Sequence, residues 1–469
     1  MLDTDLKAFE NDILEVVNLF SNAINLKIRH RATESEINSE KHKVVNTITI
    51  NNKTYAYGNL ITFENEIEHK RLCKRYAKLS MYKALVAFTG EQYPWGALTG
   101  IRPTKLAYSQ LSSCNEFEDF FQNVMLVSKE KTQLTKQVIA SQQGIYLPSH
   151  DLEKDDFADL FIFIPFCPSR CSYCSFITSD IKFSAKYMDI YTKSLIREIE
   201  ESVKLVKNIR SIYIGGGTPV CLSDENLTEI LSTVDKYNKG VEFTVEAGRP
   251  DVISESKLEI LKKFRVTRIC INPQTFCDKT LKEIGRNHSS LDIEEKYNMS
   301  KNYFSINMDL IAGLKNESVE DFKFSIDKAI NLLPDNITVH TLCIKRGSEL
   351  SQDTNRLKIC DIEQMIEYSN FALQQAGYKP YYLYRQKYMA GNLENVGWTK
   401  NNKACVYNID TMEDCVSIIA CGANAISKRL YNGGERIERL ASPKDIKTYL
   451  DKIDSIINKK KKFFEKKLT

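Results

Sequence analysis

Three cysteines stand at CxxxCxxC spacing, Cys167, Cys171 and Cys174, directly behind the apolar run Phe161-Ile-Phe-Ile-Pro-Phe166. Thiolates at such short spacing are metal ligands. A structural zinc takes four protein ligands, and no fourth Cys or His lies nearby. Inert core thiols are a poor match to three cysteines crowded behind one strand. Three thiolates on a tight loop instead hold three corners of a cubane [4Fe-4S] cluster. The fourth iron is then open to a small molecule.

Such a loop must be held by a rigid frame. From Leu160 the chain alternates strand, Gly-rich turn and helix. The pattern predicts strands at Leu160–Phe166, Ser211–Ile214, Val241–Val245, Thr267–Ile271, Ile306–Ile311 and Ile337–Leu342, with amphipathic helices between them. One helix carries Met188, Tyr191, Leu195, Ile199 and Val203 at steps of three or four. Serial βα units of this kind make a parallel sheet with right-handed crossovers, here an α/β fold that curls into an incomplete (β/α)6 barrel. Its site belongs at the C-terminal strand ends, where the cysteines fall.

The other strand ends carry polar or bare groups. After the second comes Gly215-Gly216-Gly217-Thr218-Pro219, whose backbone lets a ligand approach closely and offers free N–H groups. After the third stands Glu246, a carboxylate suited to a cationic group. Asn272-Pro-Gln274 and Arg286 follow the fourth, and Asp309 lies in the fifth. Together they outline one pocket.

CxxxCxxC with an aromatic before its last cysteine resembles the radical SAM superfamily signature. The succession Ile-Pro-Phe-Cys, Gly-Gly-Gly-Thr-Pro, Val-Glu-Ala, Pro-Gln-Thr-Phe, Gly-Arg-Asn-His and Asp-Leu-Ile-Ala-Gly-Leu resembles the oxygen-independent coproporphyrinogen III oxidase family. The segments beginning at Pro94-Trp95 and Tyr381-Tyr382 are similar to its HemZ-like branch. The resemblance implies that Cys167, Cys171 and Cys174 hold the cluster and that S-adenosylmethionine (SAM) chelates the open iron. It implies that Gly216 and Glu246 touch that SAM, and that Gly217, Thr218, Gln274, Arg286 and Asp309 lie where the family's oxidase holds a second one. The implied activity is anaerobic decarboxylation of coproporphyrinogen III propionates to vinyl groups, fed by a low-potential donor such as flavodoxin or ferredoxin. Phe161, Phe163 and Phe176 stand where the oxidase pattern has Tyr, His and Cys. These departures bear on oxidase activity, not on the cofactors. Two other functions stay open on the same scaffold: a heme carrier, for which His288 and His340 are candidate axial ligands, and a radical enzyme that opens heme itself. The cations offered to a tetrapyrrole's carboxylates are Arg102, Lys105, Arg249 and Arg286.

The rest of the 469 residues bounds these readings. A formal charge of +4 does not call for nucleic acid. Thirteen scattered cysteines and an N-terminus without a basic-then-apolar leader read as reduced thiols in a cytoplasmic protein. No long apolar run predicts a membrane span. Residues 1–150 form an expected α+β domain. It has a helix in Phe9–Ile24, a hairpin in Val45–Tyr57 turning at Asn51-Asn52, and a helix from Glu66 to Thr89. Residues 151–355 are the expected barrel, and 356–469 an accessory domain covering the substrate. The run Lys459–Lys462 reads as a solvated helix end.

Overall fold

The computed structural model describes residues 2–20, 26–99, 102–111, 114–148, 156–174, 179–343, 359–386 and 393–465. Phe176 and the Gly-rich stretch at Gly391 lie outside them. The chain forms two compact units, 1–136 with 385–393 and 137–384 with 394–469.

In the first unit, β1 (Leu2–Thr4) pairs parallel with β2 (Ile28–Asn38), and helix α1 (Glu10–Val17) lies between them in sequence. β2, β3 (Lys41–Ile50) and β4 (Lys53–Thr62) then run antiparallel. Asn51 and Asn52 both take positive φ, 44° and 75°, in the tight turn expected of them. Helix α2 (Glu66–Thr89) matches its expected span. The Asn65 side chain caps it by accepting from the Glu68 N–H, and Gly90 ends it at φ 78°. Val44, Ile48 and Ile50 alternate inward along β3. Trp95 is buried, and the Arg385 guanidinium lies over its ring at 5.0 Å while donating to the Leu98 carbonyl.

The second unit is built on an eleven-stranded sheet. β5 (Phe157–Ile164) leads into the short β6 (Phe166–Cys167), which pairs with β7 (Ser179–Asp180). Helix α3 (Met188–Ser202) buries Tyr191, Leu195 and Ile199 on one face. Next come β8 (Asn208–Gly216), α4 (Asp224–Asp235), β9 (Glu242–Gly248), α5 (Glu255–Lys263), β10 (Arg268–Ile271), α6 (Ser290–Ser300), β11 (Ser305–Ala312), α7 (Val319–Leu332) and β12 (Asn336–Thr341). Strands β5, β8, β9, β10, β11 and β12 pair in parallel in that order, as six βα units require. Four crossover helices open on a serine cap, Ser223, Ser254, Ser289 and Ser318, each accepting from a backbone N–H of the first turn. The caps stop each helix short of its strand and leave a loop at the C-terminal strand end.

The C-terminal segment does not stand apart from this sheet. After α8 (Ile359–Gln375), β13 (Lys379–Tyr384) and β14 (Asn395–Thr399) add antiparallel beyond β12. After α9 (Val406–Glu413), β15 (Ser417–Cys421) lies parallel to β5, and β16 (Ile426–Tyr431) and β17 (Arg436–Ala441) complete that edge. Helix α10 (Ile453–Glu465) corrects the solvated reading of Lys459–Lys462. Lys460 is buried, and its ammonium donates to Glu198 on α3 at 2.6 Å and to the Ala420 carbonyl at 2.7 Å. A buried ammonium needs such partners.

Candidate active site

The cysteine loop leaves the C-terminal end of β5 and is stitched to the glycine turn at the end of β8. Cys167 ends β6, and the Cys174 N–H closes a turn onto the Cys171 carbonyl at 3.0 Å. Cys171 is buried, Cys167 and Cys174 are partly open, and none of the three is in a disulfide. The Gly217 and Thr218 N–H groups donate to the carbonyls of Ile164 and Phe166, at 2.7 and 2.8 Å. The Thr218 hydroxyl donates to Cys167 Sγ at 3.7 Å. This close approach explains the glycines. A Cβ on Gly217 would lie 2.3 Å from the Phe166 carbonyl oxygen, and one on Gly216, at φ 106°, 2.7 Å from the Phe163 ring.

Glu246 reaches the same place from β9. Its carboxylate accepts from the Tyr213 hydroxyl at 2.7 Å, and a Cβ on Gly215 would sit 3.0 Å from its Cδ. Burial pushes its pKa up to about 7 and the Asp309 charge adds to this, while hydrogen bonds from Tyr213 and the Gly216 N–H oppose it. Asp309, on β11, accepts from Asn307 Nδ2 at 2.8 Å and has His340 Nε2 at 3.7 Å. Burial raises its pKa, but His340 and the Asn307 and Thr338 hydrogen bonds outweigh burial and hold the carboxyl below its ordinary value. Gln274, at φ 69°, donates its N–H to the Asp309 carbonyl at 2.9 Å.

Arg286 sits beneath the cysteine loop. Its guanidinium donates to the Tyr173 hydroxyl at 2.9 Å and the Asn272 carbonyl at 2.6 Å. Arg249 makes a two-pronged pair with Asp251, at 3.0 and 2.7 Å, and donates to Ser169 Oγ at 2.6 Å. Both arginines therefore anchor the loop, and Arg249 has no fork left for a substrate carboxylate. Arg102 and Lys105 belong to the first unit.

Sequence reasoning missed the aromatic wall. Tyr213 stacks on Tyr407 with centroids 4.5 Å apart, and Phe161 lies 6.0 Å from Tyr407 and 6.3 Å from Phe163. It also missed Tyr384, whose hydroxyl meets His340 Nδ1 at 3.4 Å, and Tyr382, which donates to Thr338 at 3.2 Å. The signal for Tyr213 was its alternation between Ile212 and Ile214, which face the other way.

The donor set suits an iron–sulfur cluster: three thiols within eight residues of one loop, with a hydroxyl already aimed at one sulfur. The bare backbone at 215–217 beside Glu246 suits a zwitterionic ligand on the open iron.

Residues 161–329 match the radical SAM superfamily. The chain is 37% identical over 397 residues to the oxygen-independent coproporphyrinogen-III oxidase-like protein HemZ of Bacillus subtilis, covering 81% of this chain and 79% of that protein. It is 32% identical to the heme chaperone HemW of the same organism, over 39% of this chain and 50% of that one. In structure it is similar to the coproporphyrinogen III oxidase HemN of Escherichia coli, with a TM-score of 0.52 at 19% identity, over 70% of this chain and 73% of the other. The barrel and its cysteine loop are thus the shared part, and the likeness to HemZ runs through most of both chains. The chain belongs to the radical SAM superfamily and, within it, to the HemZ-like branch of the oxygen-independent coproporphyrinogen III oxidase family, whose cofactors are a [4Fe-4S] cluster and S-adenosylmethionine.

Proposed function

We propose that this chain is a radical SAM oxidoreductase of tetrapyrrole synthesis that converts two propionates of coproporphyrinogen III to vinyl groups, giving protoporphyrinogen IX. In this reading Cys167, Cys171 and Cys174 hold the cluster. Gly216 and Glu246 hold the SAM on its open iron. Gly217, Thr218, Gln274, Arg286 and Asp309 border a second cofactor or the substrate. The observation that carries the reading is the stitching of Gly217 and Thr218 onto Ile164 and Phe166, which brings the bare-backbone turn, with Glu246 packed against Gly215, up to the start of the cysteine loop.

When bound and reduced by one electron, the cluster and SAM supply a primary carbon radical that removes a hydrogen atom from a propionate. Loss of CO2 from the propionate radical, with one electron passed to an external one-electron acceptor, would leave the vinyl group. The chain's own residues bind and shield. A cation arriving beside Glu246 favours its carboxylate over the protonated form. Asp309 stays ionised beside His340. Phe161, Tyr213 and Tyr407 line the wall with apolar surface and keep water from a reactive carbon. The electron comes from a low-potential carrier such as flavodoxin or ferredoxin.

A second reading is a heme carrier. It is favoured by Phe176, which stands where the oxidase pattern has a fourth cysteine and matches the family's heme-trafficking branch, and by similarity to proteins named heme chaperones. Product analysis separates the two. Protein reconstituted anaerobically with iron and sulfide is given SAM, a reductant and coproporphyrinogen III. The oxidase yields protoporphyrinogen IX and 5′-deoxyadenosine. Stoichiometric heme binding with SAM unconsumed identifies the carrier, and a linear tetrapyrrole from heme would point to ring opening.

A further inference from the structure

The first unit carries a cluster of metal-ligating side chains that the radical chemistry does not use. Glu34 on β2, His42 on β3 and His69 on α2 place donor atoms within 4.8 Å of one another. Glu34 Oε1 faces His42 Nδ1 and, at 2.6 Å, His69 Nε2. The same His69 Nε2 lies 3.5 Å from Cys73 Sγ, one helical turn further along α2. Three donors from three elements thus converge, and Cys73 stands beside one of them.

The fold explains the convergence. Glu36 opposes His42 across β2 and β3, and Glu34 opposes Val44, so Glu34 and His42 share a sheet face. His69 and Cys73, four apart, share a helix face. Val44 and Ile48 further along β3 are buried, and His42 lies at the partly exposed start of that strand. The Phe63 ring walls it, 4.4 Å from His69 and 4.9 Å from His42. His30 in the same sheet is a useful contrast. It is buried, and each ring nitrogen has its own partner, Thr4 and Asn46, both at 2.9 Å. His42 and His69 instead crowd one carboxylate oxygen, and their side chains are 19% and 22% exposed, open enough for an ion to enter.

We propose that Glu34, His42, His69 and Cys73 form a Zn2+ site that pins the β2–β3 hairpin to the start of α2. Two nitrogens, a sulfur and a carboxylate suit a borderline-soft ion in tetrahedral geometry and disfavour Mg2+ or Ca2+. Zn–S near 2.3 Å and Zn–N near 2.0–2.1 Å set two such ligands about 3.5 Å apart, the spacing of Cys73 Sγ and His69 Nε2. With four protein ligands the site is closed and structural.

The test uses the full chain with Cys167→Ser, Cys171→Ser and Cys174→Ser, so that the cluster thiols do not compete, and titrates Co2+ as a spectroscopic substitute. The expected result is one Co2+ per chain with tetrahedral d–d bands and a sulfur-to-cobalt charge-transfer band. Adding Cys73→Ser removes that band, and adding His69→Gln weakens binding by about 10-fold or more. A second readout uses the cluster-loaded natural chain. It should carry one zinc beside its iron, and a chelator should lower the melting temperature of this chain but not of the His69→Gln variant. The proposal is overturned by the same cobalt spectrum after Cys73→Ser and His69→Gln, or by no Co2+ uptake in a chain whose circular dichroism is that of the folded protein.

Discussion

Arg286 and Tyr173 are joined by a 2.9 Å hydrogen bond beneath the cysteine loop. The same guanidinium holds the Asn272 carbonyl, so one side chain ties the turn between Cys171 and Cys174 to the end of β10. Arg249 does the same at Ser169 from the end of β9. A loop that must present three sulfurs in fixed positions is thus braced on both sides. Arg286→Lys keeps the charge but loses the planar fork that serves two acceptors. Anaerobic reconstitution of this variant should show cluster affinity reduced by about 10-fold or more, read as iron and sulfide per chain, with circular dichroism unchanged.

The glycine triplet should respond in graded fashion to alanine. At Gly217 the new Cβ meets backbone, the Phe166 carbonyl, which cannot yield without moving the Cys167 turn. At Gly216 it meets the Phe163 ring and a positive φ. At Gly215 it meets the Tyr213 and Glu246 side chains, at 2.9 and 3.0 Å, which can shift. The expected order of lost SAM affinity is Gly217→Ala, then Gly216→Ala, then Gly215→Ala. Equilibrium dialysis of cluster-loaded variants reads it directly.

Glu246 links cofactor binding to pH. Its pKa is pushed up to about 7, so below that value the carboxyl binds a proton that a cationic ligand must displace. SAM affinity should therefore rise with pH, by about tenfold per unit well below pH 7, and flatten above it. Glu246→Gln should bind more weakly with no such slope. For folding the sign is opposite. A raised carboxyl pKa stabilises the native state below the unfolded value, and this contribution is lost as pH climbs through about 7. The Gln variant should lose that part of the stability profile too, as urea unfolding across the range will read.

The barrel strands were legible because apolar runs, Gly-rich turns and amphipathic helices repeat, and each is a local signal. The cysteine spacing was equally local. What stayed hidden was pairing at long range. Nothing in Ser417–Cys421 says that it lies beside β5, or that Asn395–Thr399 extends the opposite edge. The braces stayed hidden for the same reason. Arg249 and Arg286 meet the loop at Ser169 and Tyr173, 80 and 113 residues earlier in the chain. Glu34 and His69 have no spacing that betrays their meeting, and only the HxxxC step to Cys73 hints at it.

The lysine run near the C-terminus gives a sharp contrast between neighbours. Lys460 is buried against Glu198, which also accepts from Tyr449 at 2.6 Å and from the Gly422 N–H at 2.8 Å. Removing the ammonium leaves a buried carboxylate facing two donors and no cation. Lys461 pairs with Glu201 where both side chains are about a third exposed. Solvent screens that pair. Lys460→Ala should therefore cost about 3–5 kcal/mol and Lys461→Ala less than about 1 kcal/mol. Urea unfolding of both variants checks the pair of values. Equal, small losses would mean that Lys460 reaches water after all, and that α10 does not pin its ammonium between Glu198 and the Ala420 carbonyl of β15.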